Sequence, residues 1–282
     1  MSIPFFDYGG EGRSLHFLHA NGYPPDCYKP LLELLKTRYH VFGMLLRPLW
    51  EGAKPEELDD WGPLSDDLLQ FLAETPLREE KPVIGVGHSV GGIVTLRAAL
   101  RDPGKFRALI LLDPVLFVPS ILVAWNFARK MGLGNNLHPK IASARRRRQT
   151  FDSLDEAFEG YRERSVFKYL SDESLRAYTA GVTRPKSDGG FELAYSPEWE
   201  ARIYLTALRD FDLWRDLPKL KVPTLIIRGA ETDTFLVKAA DLVKKKNPKI
   251  EIRSLQSSTH ILPLEQPEKI YNYIRAFITD IR

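Results

Sequence analysis

Residues 83–92 constrain the fold of this 282-residue chain more than any other segment. A short apolar run leads into Gly87-His88-Ser89-Val90-Gly91, and residues 93–100 then follow a helical pattern. A serine on a sharp turn between a buried strand and a helix has a strained backbone, and side chains at Gly87 and Gly91 would collide with the two packed elements. The segment therefore predicts a strand, a turn and a helix, with Ser89 raised on the turn.

Strand and helix patterns alternate on both sides of residues 115–208, which predicts an α/β fold. We expect a mostly parallel, twisted sheet with helices on both faces, formed by residues 1–114 and 209–282. Residues 115–208 lack strand signals, and we expect an inserted helical cap that lies over the carboxyl ends of the strands, where open α/β sheets place their sites. Strands are expected at residues 3–8, 14–19, 39–46, 83–86, 106–112, 222–228 and 250–255, and the helices of the sheet region at 30–38, 64–73, 93–100, 235–246 and 265–281.

Composition excludes several classes of protein. The net charge of +3 gives no electrostatic case for a nucleic-acid partner. Cys27 is the only cysteine, so no intramolecular disulfide can form. The N-terminal residues lack the pattern of a signal peptide, and prolines interrupt the most apolar region, residues 109–125. We expect a cytosolic protein with no stable membrane insertion.

A serine hydroxyl needs a base that removes its proton, and the base needs a carboxylate that orients it. Among six histidines, His260 is the first candidate, because it lies in a loop just after the last strand. His19, at the end of an early strand, is the second. His88 lies beside the serine in sequence and is expected to point elsewhere.

Asp233 is the first candidate for the orienting carboxylate, because it follows the strand predicted at residues 222–228. A helix N-cap is an alternative role for Asp233, since an apolar-periodic helix follows it directly. Glu231, two residues earlier, is a close rival. Asp113, at the end of the strand before the insertion, is a third option.

Four segments resemble the motifs of the α/β-hydrolase superfamily, most closely those of its capped, esterase-like members. The resemblance implies the α/β-hydrolase fold, a Ser–Asp–His triad in that chain order, and no metal or organic cofactor. It also implies an oxyanion hole formed by the backbone N–H groups of Val90 and Asn21, with Gly22 as an alternative donor. The segments that carry it are His19-Ala20-Asn21-Gly22-Tyr23-Pro24, Gly87-His88-Ser89-Val90-Gly91-Gly92, Arg228-Gly229-Ala230-Glu231-Thr232-Asp233 and residues 259–268.

Serine at the turn argues against relatives that cleave haloalkanes or epoxides, which use aspartate there. We expect a serine hydrolase that acts on a small-molecule carboxylic ester with an apolar acyl group, through an acyl-serine intermediate. Two alternatives stay open: a C–C bond hydrolase or cofactor-free haloperoxidase with the same triad, and a non-catalytic ligand-binding protein of the same fold.

Two further segments are expected to have structural roles. The apolar residues that open the insertion could line an acyl pocket, but packing onto the core is the favoured interpretation. Residues 145–148 are four consecutive arginines flanked by acidic residues, and we expect a solvated helix face. The apolar residues are Leu116, Phe117, Ile121, Leu122, Trp125 and Phe127.

Overall fold

The protein is described from a computed structural model that covers residues 3–74, 82–134, 138–207 and 209–281. Its main sheet has seven strands in the order β1-β3-β2-β4-β5-β9-β10. Only β1 runs antiparallel to its neighbour, so the predicted mostly parallel sheet is confirmed. The strands of the described chain are β1 (Phe5–Gly9), β2 (Arg13–Leu18), β3 (Tyr39–Met44), β4 (Val83–His88), β5 (Phe106–Leu112), β6 (Thr150–Phe151), β7 (Thr183–Pro185), β8 (Phe191–Leu193), β9 (Thr224–Gly229) and β10 (Glu251–Leu255).

Helices cover both faces of the main sheet. One face packs on α2, α3 and α10, and the other packs on α1 and α12. Parallel strands buried on both faces carry continuous apolar runs, and this pattern made β4 and β5 predictable. The helices are α1 (Lys29–Lys36), α2 (Gly62–Glu74), α3 (Val90–Arg101), α4 (Pro119–Lys130), α5 (Pro139–Arg145), α6 (Leu154–Arg162), α7 (Asp172–Val182), α8 (Pro197–Thr206), α9 (Phe211–Asp216), α10 (Val237–Lys246), α11 (Leu262–Glu265) and α12 (Pro267–Asp280).

The segment between β5 and α9, residues 115–207, is called the insert below. Its described residues include the helices α4 to α8, as expected for a helical insertion, but it is not all helical. Its strands β6, β8 and β7 form a small antiparallel sheet. The strands have two or three residues each, too short for an alternating pattern to stand out. A turn signal was present, because Gly189 and Gly190, both with positive φ, connect β7 to β8.

The insert packs tightly onto the main sheet. Its residues belong to both large apolar clusters: Leu116 and Leu122 join the cluster around α3, and Phe167 and Tyr178 join the cluster around α1. The favoured packing role is confirmed for Leu116 and Leu122, which are buried. Phe127 is 66% exposed, so it neither packs onto the core nor lines a pocket.

Within the described ranges, no helix is both long enough and apolar enough to cross a membrane.

Candidate active site

Ser89 occupies the turn between β4 and α3. Its φ of 56° and ψ of −119° are the strained backbone that the sequence predicts. A Cβ on Gly87 would lie 2.4 Å from the carbonyl oxygen of Gly91, and one on Gly91 would lie 2.3 Å from that of Leu18. Both distances are too short for any side chain, so the predicted need for glycine at these two positions is confirmed.

His260 reaches Ser89 from the loop between β10 and α11. Its Nε2 atom lies 2.9 Å from the Ser89 hydroxyl oxygen. Ser89 is 6% exposed, so the pair lies below the molecular surface. This distance permits direct proton transfer from the hydroxyl to the imidazole.

Asp113 completes the arrangement, in the position that the sequence analysis gave to Asp233. It directly follows β5, and its Oδ2 atom lies 2.7 Å from Nδ1 of His260. The side chain is fully buried, and it also accepts hydrogen bonds from the Gly229 N–H at 3.1 Å and the Thr232 hydroxyl at 2.5 Å. Because a carboxylate only accepts here, Nδ1 of His260 carries the proton and Nε2 is free to accept from Ser89.

In the described part of the chain, the hydrogen bonds of Asp233 go to residues other than His260. Its carboxylate lies 3.2 Å from Nζ of Lys140 in the insert and accepts a hydrogen bond from the Thr234 hydroxyl. Partial burial works to raise the pKa of Asp233, but Lys140 and the Thr234 hydrogen bond outweigh it, and the pKa lies below its ordinary value. The residue is not an N-cap either, since α10 begins at Val237.

Glu231, the rival acid, also contacts the insert. It accepts hydrogen bonds from Lys168 at 2.8 Å and from the Tyr169 hydroxyl at 2.6 Å. The two carboxylates that the sequence favoured for the triad thus connect the loop after β9 to the insert.

The backbone N–H groups of Val90 and Asn21 have no intramolecular acceptor in the described part of the chain. Val90 begins α3, where the first N–H groups of a helix have no partner in the helix. Asn21 lies in the turn after β2, which Ala20 and Tyr23 close with a hydrogen bond. These are the two donors that the family resemblance implies.

His19 is not available as a base. It is fully buried, its Nδ1 donates to the Ala20 carbonyl at 2.9 Å, and its Nε2 accepts from the Leu46 N–H at 3.1 Å. Burial lowers the pKa of His19 to about 4, so the ring is neutral at physiological pH.

His88 has a role that the sequence did not reveal. Its Nε2 lies 2.9 Å from the carbonyl oxygen of His260 and its Nδ1 lies 2.7 Å from the Tyr28 hydroxyl. A carbonyl can only accept, so Nε2 carries the proton and Tyr28 donates to Nδ1. Burial, with His260 nearby, lowers the pKa of His88 well below its usual value. His88 therefore holds the backbone of His260 as a neutral ring.

Buried neutral histidines should make the fold sensitive to acid. The pKa of His16 is lowered to about 3 by burial, and His19 and His88 are shifted in the same direction. Between pH 6.5 and the lowered values, the unfolded chain binds protons that the folded chain does not, so stability falls as pH falls. We expect His16 and His19 each to lower the free energy of unfolding by about 2 kcal/mol between pH 7.5 and 5, and His88 to act in the same direction.

Urea unfolding at pH 7.5, 6 and 5 measures this loss. Replacing His16 with Gln should reduce the pH dependence of the free energy of unfolding by the contribution of one histidine. Equal stability at pH 7.5 and 5 would contradict the expectation.

A model of the alpha/beta hydrolase family matches residues 17–272, and the chain belongs to that family. It is therefore a hydrolase of the α/β-hydrolase superfamily. The AB hydrolase superfamily protein YisY of Bacillus subtilis (strain 168) is 25% identical over 270 residues, which cover 95% of this chain and 92% of YisY.

Solved structures agree on the fold. The crystal structure of E-2-(acetamidomethylene)succinate hydrolase has a TM-score of 0.74 at 20% identity, covering 98% of this chain and 94% of that chain. A structure from a group of carboxylesterases of the thaumarchaeon Nitrososphaera gargenis has a TM-score of 0.68 at 20% identity, with 98% and 94% covered. At these identities the likeness shows a shared fold.

Proposed function

We propose that the chain is a serine hydrolase that cleaves carboxylic esters through an acyl-serine intermediate. The observation that carries the proposal is the continuous pair of hydrogen bonds from Ser89 through His260 to Asp113, at 2.9 and 2.7 Å. In this proposal Asp113 replaces Asp233 as the orienting acid. Family membership and the fold shared with carboxylesterases of Nitrososphaera gargenis support it.

In the first step the Ser89 oxygen attacks the ester carbonyl while His260 takes the hydroxyl proton at Nε2. Asp113 keeps the proton on Nδ1 and stabilises the imidazolium that forms. The N–H groups of Val90 and Asn21 donate to the oxyanion, an interaction worth roughly 3 kcal/mol per donor. His260 then protonates the departing alcohol, and water, activated by the same ring, hydrolyses the acyl-serine.

We further propose that residues 115–208 act as a cap over a core formed by residues 1–114 and 209–282. The ion pairs that connect Lys140 and Lys168 to the loop after β9 support this proposal, because that loop follows the strand next to β5. A cap in this position would restrict access to small molecules, and the substrate that we propose is an ester with an apolar acyl group.

A fluorophosphonate probe and a set of p-nitrophenyl esters test the proposed reaction. We expect a single adduct, located by peptide mapping at Ser89, and turnover of the acetate, butyrate or octanoate ester. An adduct without turnover of any ester, combined with cleavage of a 1,3-diketone, would favour a C–C hydrolase. Absence of both adduct and turnover would favour a ligand-binding protein.

A further inference from the structure

Arg147 differs from the other arginines of its run. Arg145, Arg146 and Arg148 are exposed, but the Arg147 side chain is only 11% exposed. The expected helix face is wrong for most of the run, because α5 ends at Arg145. Its Nη1 atom donates to the carboxylate of Glu200 in α8 at 2.6 Å. The Glu200 side chain is 10% exposed, so the insert buries an ion pair of its own. Removing two charged groups from water costs free energy, which their mutual attraction offsets only when the geometry is good. The contacts of the pair therefore matter.

The buried pair lies against the turn that carries Asn21. The side-chain Nδ2 of Asn21 donates to the backbone oxygen of Glu200 at 3.0 Å. Asn21 is 5% exposed, so this hydrogen bond is shielded from water. The insert thus fixes the residue whose backbone N–H the proposed reaction uses.

The next residue of the turn meets the carboxylate itself. Gly22 has φ of +75°, and a Cβ built on it would lie 3.2 and 3.3 Å from the two carboxylate oxygens of Glu200. The carboxylate therefore packs directly on the backbone of the turn, in a conformation that glycine adopts without strain. A shift of the carboxylate would leave this backbone unsupported.

The third residue of the turn is held through the other arm of Arg147. Nη2 of Arg147 donates to the Tyr178 hydroxyl at 3.3 Å. The Tyr178 ring packs on the Tyr23 ring, with centroids 5.4 Å apart. Glu200 thus contacts residues 21 and 22 of the turn. Arg147 supports residue 23 through the Tyr178 side chain.

From these contacts we infer that Glu200 and Arg147 are positioning residues for the oxyanion hole, holding the Asn21 N–H at the distance that the transition state requires. The inference rests on the proposed function. Neither side chain touches the reacting atoms, so both act through the turn. Displacement of a donor by about 1 Å can lower a rate by roughly 10²-fold, because preorganised donors act only at short range.

The test compares Glu200→Gln with the wild-type protein. Glutamine keeps the shape and the backbone carbonyl of residue 200, but it removes the charge that holds Arg147. With p-nitrophenyl butyrate we expect kcat to fall roughly 10- to 100-fold with KM changed less than about threefold, since the oxyanion forms only in the transition state. Arg148→Gln, which removes an exposed arginine of the same run, is the matched control and should keep wild-type values.

A second measurement does not depend on catalysis. Hydrogen–deuterium exchange of the peptide that covers residues 18–24 should become faster in Glu200→Gln and stay unchanged in Arg148→Gln. Asn21→Ala keeps the backbone N–H but removes the anchor to Glu200, so it should show the same faster exchange and the same loss of kcat. It serves as the test if Glu200→Gln does not fold.

The outcomes separate the two proposals. If exchange and kcat stay at wild-type values in both Glu200→Gln and Asn21→Ala, the positioning role is wrong while the serine hydrolase stands. If the wild-type protein neither binds the fluorophosphonate nor cleaves esters, the proposed function fails, and the exchange measurement alone decides whether Glu200 holds the turn. Unchanged exchange in that case overturns the inference.

Discussion

Ser89→Ala is expected to lower kcat for a carboxylic ester by roughly 10⁶-fold, the loss seen when the nucleophile of a serine protease is removed. The expectation follows from the geometry of the turn. The strained backbone of Ser89 directs its hydroxyl to His260 at 2.9 Å, beside the N–H of Val90. No other side chain is raised in this way on the β4–α3 turn. The measurement is steady-state hydrolysis of p-nitrophenyl butyrate, with loss of fluorophosphonate labelling as a second readout.

The double variant Ser89→Ala/His260→Ala gives a sharper version of the test. The effects on kcat of residues that act as one unit are not additive. The kcat of the double variant should therefore be no lower than that of the slower single variant. Ser143→Ala, at an exposed serine of α5, is the control for general effects of the substitution. If Ser89→Ala retained wild-type turnover, the nucleophile assigned here would be wrong.

The main sheet could be predicted because its strands and helices each carry their own pattern of apolar residues within a short stretch of sequence. Strands buried on both faces are short apolar runs, and the helices between them carry apolar residues on one face only. All seven predicted strands of the core are present. The sheet of the insert was missed because β6, β7 and β8 are too short to carry a pattern, and because β6 pairs with β8 about 40 positions further along the chain.

Ser89 and His260, the proposed nucleophile and base, were predictable for a different reason. Ser89 is flanked by glycines that the close approach of strand and helix demands, and His260 is the histidine directly after the last strand. The choice of acid depended on position in space, which the sequence does not give. β5 and β9 are adjacent and parallel, so acids that follow either strand arrive at the same edge of the sheet.

A signal for the acid that contacts His260 was nevertheless present. Asp113 lies between Leu112 and Pro114, directly after a strand with no polar residue in its last five positions. Asp233 lies among Glu231, Thr232 and Thr234, a polar setting typical of an exposed loop. An orienting carboxylate must be shielded from water, and the apolar setting of Asp113 indicated burial where that of Asp233 did not.

The burial of Arg147 could not be predicted. Its partner Glu200 lies 53 residues further along the chain, and the four arginines of the run look alike in sequence. Only the packing of α8 against the Asn21 turn distinguishes Arg147 from its neighbours.

The two candidate acids can be separated by matched substitutions. Asp113→Asn is expected to lower kcat roughly 10⁴-fold, the loss found when the carboxylate of a serine protease triad becomes an amide. An amide can turn its NH₂ group toward His260, which then places the imidazole proton on Nε2, where it can no longer accept from Ser89. Asp233→Asn should change kcat less than about threefold, because it removes an exposed ion pair with Lys140 worth at most about 1 kcal/mol.

Stability measurements keep the comparison interpretable. Asp113 also accepts from the Gly229 N–H and the Thr232 hydroxyl, so its amide variant loses buried hydrogen bonds and should melt at a lower temperature. Activity is therefore measured well below the melting temperature, with circular dichroism to measure the folded fraction independently of the reaction. Lys140→Met should reproduce the small effect of Asp233→Asn, since both remove the same ion pair. A large loss in Asp233→Asn and a small one in Asp113→Asn would return the orienting role to Asp233, because only a carboxylate that contacts His260 can set its tautomer.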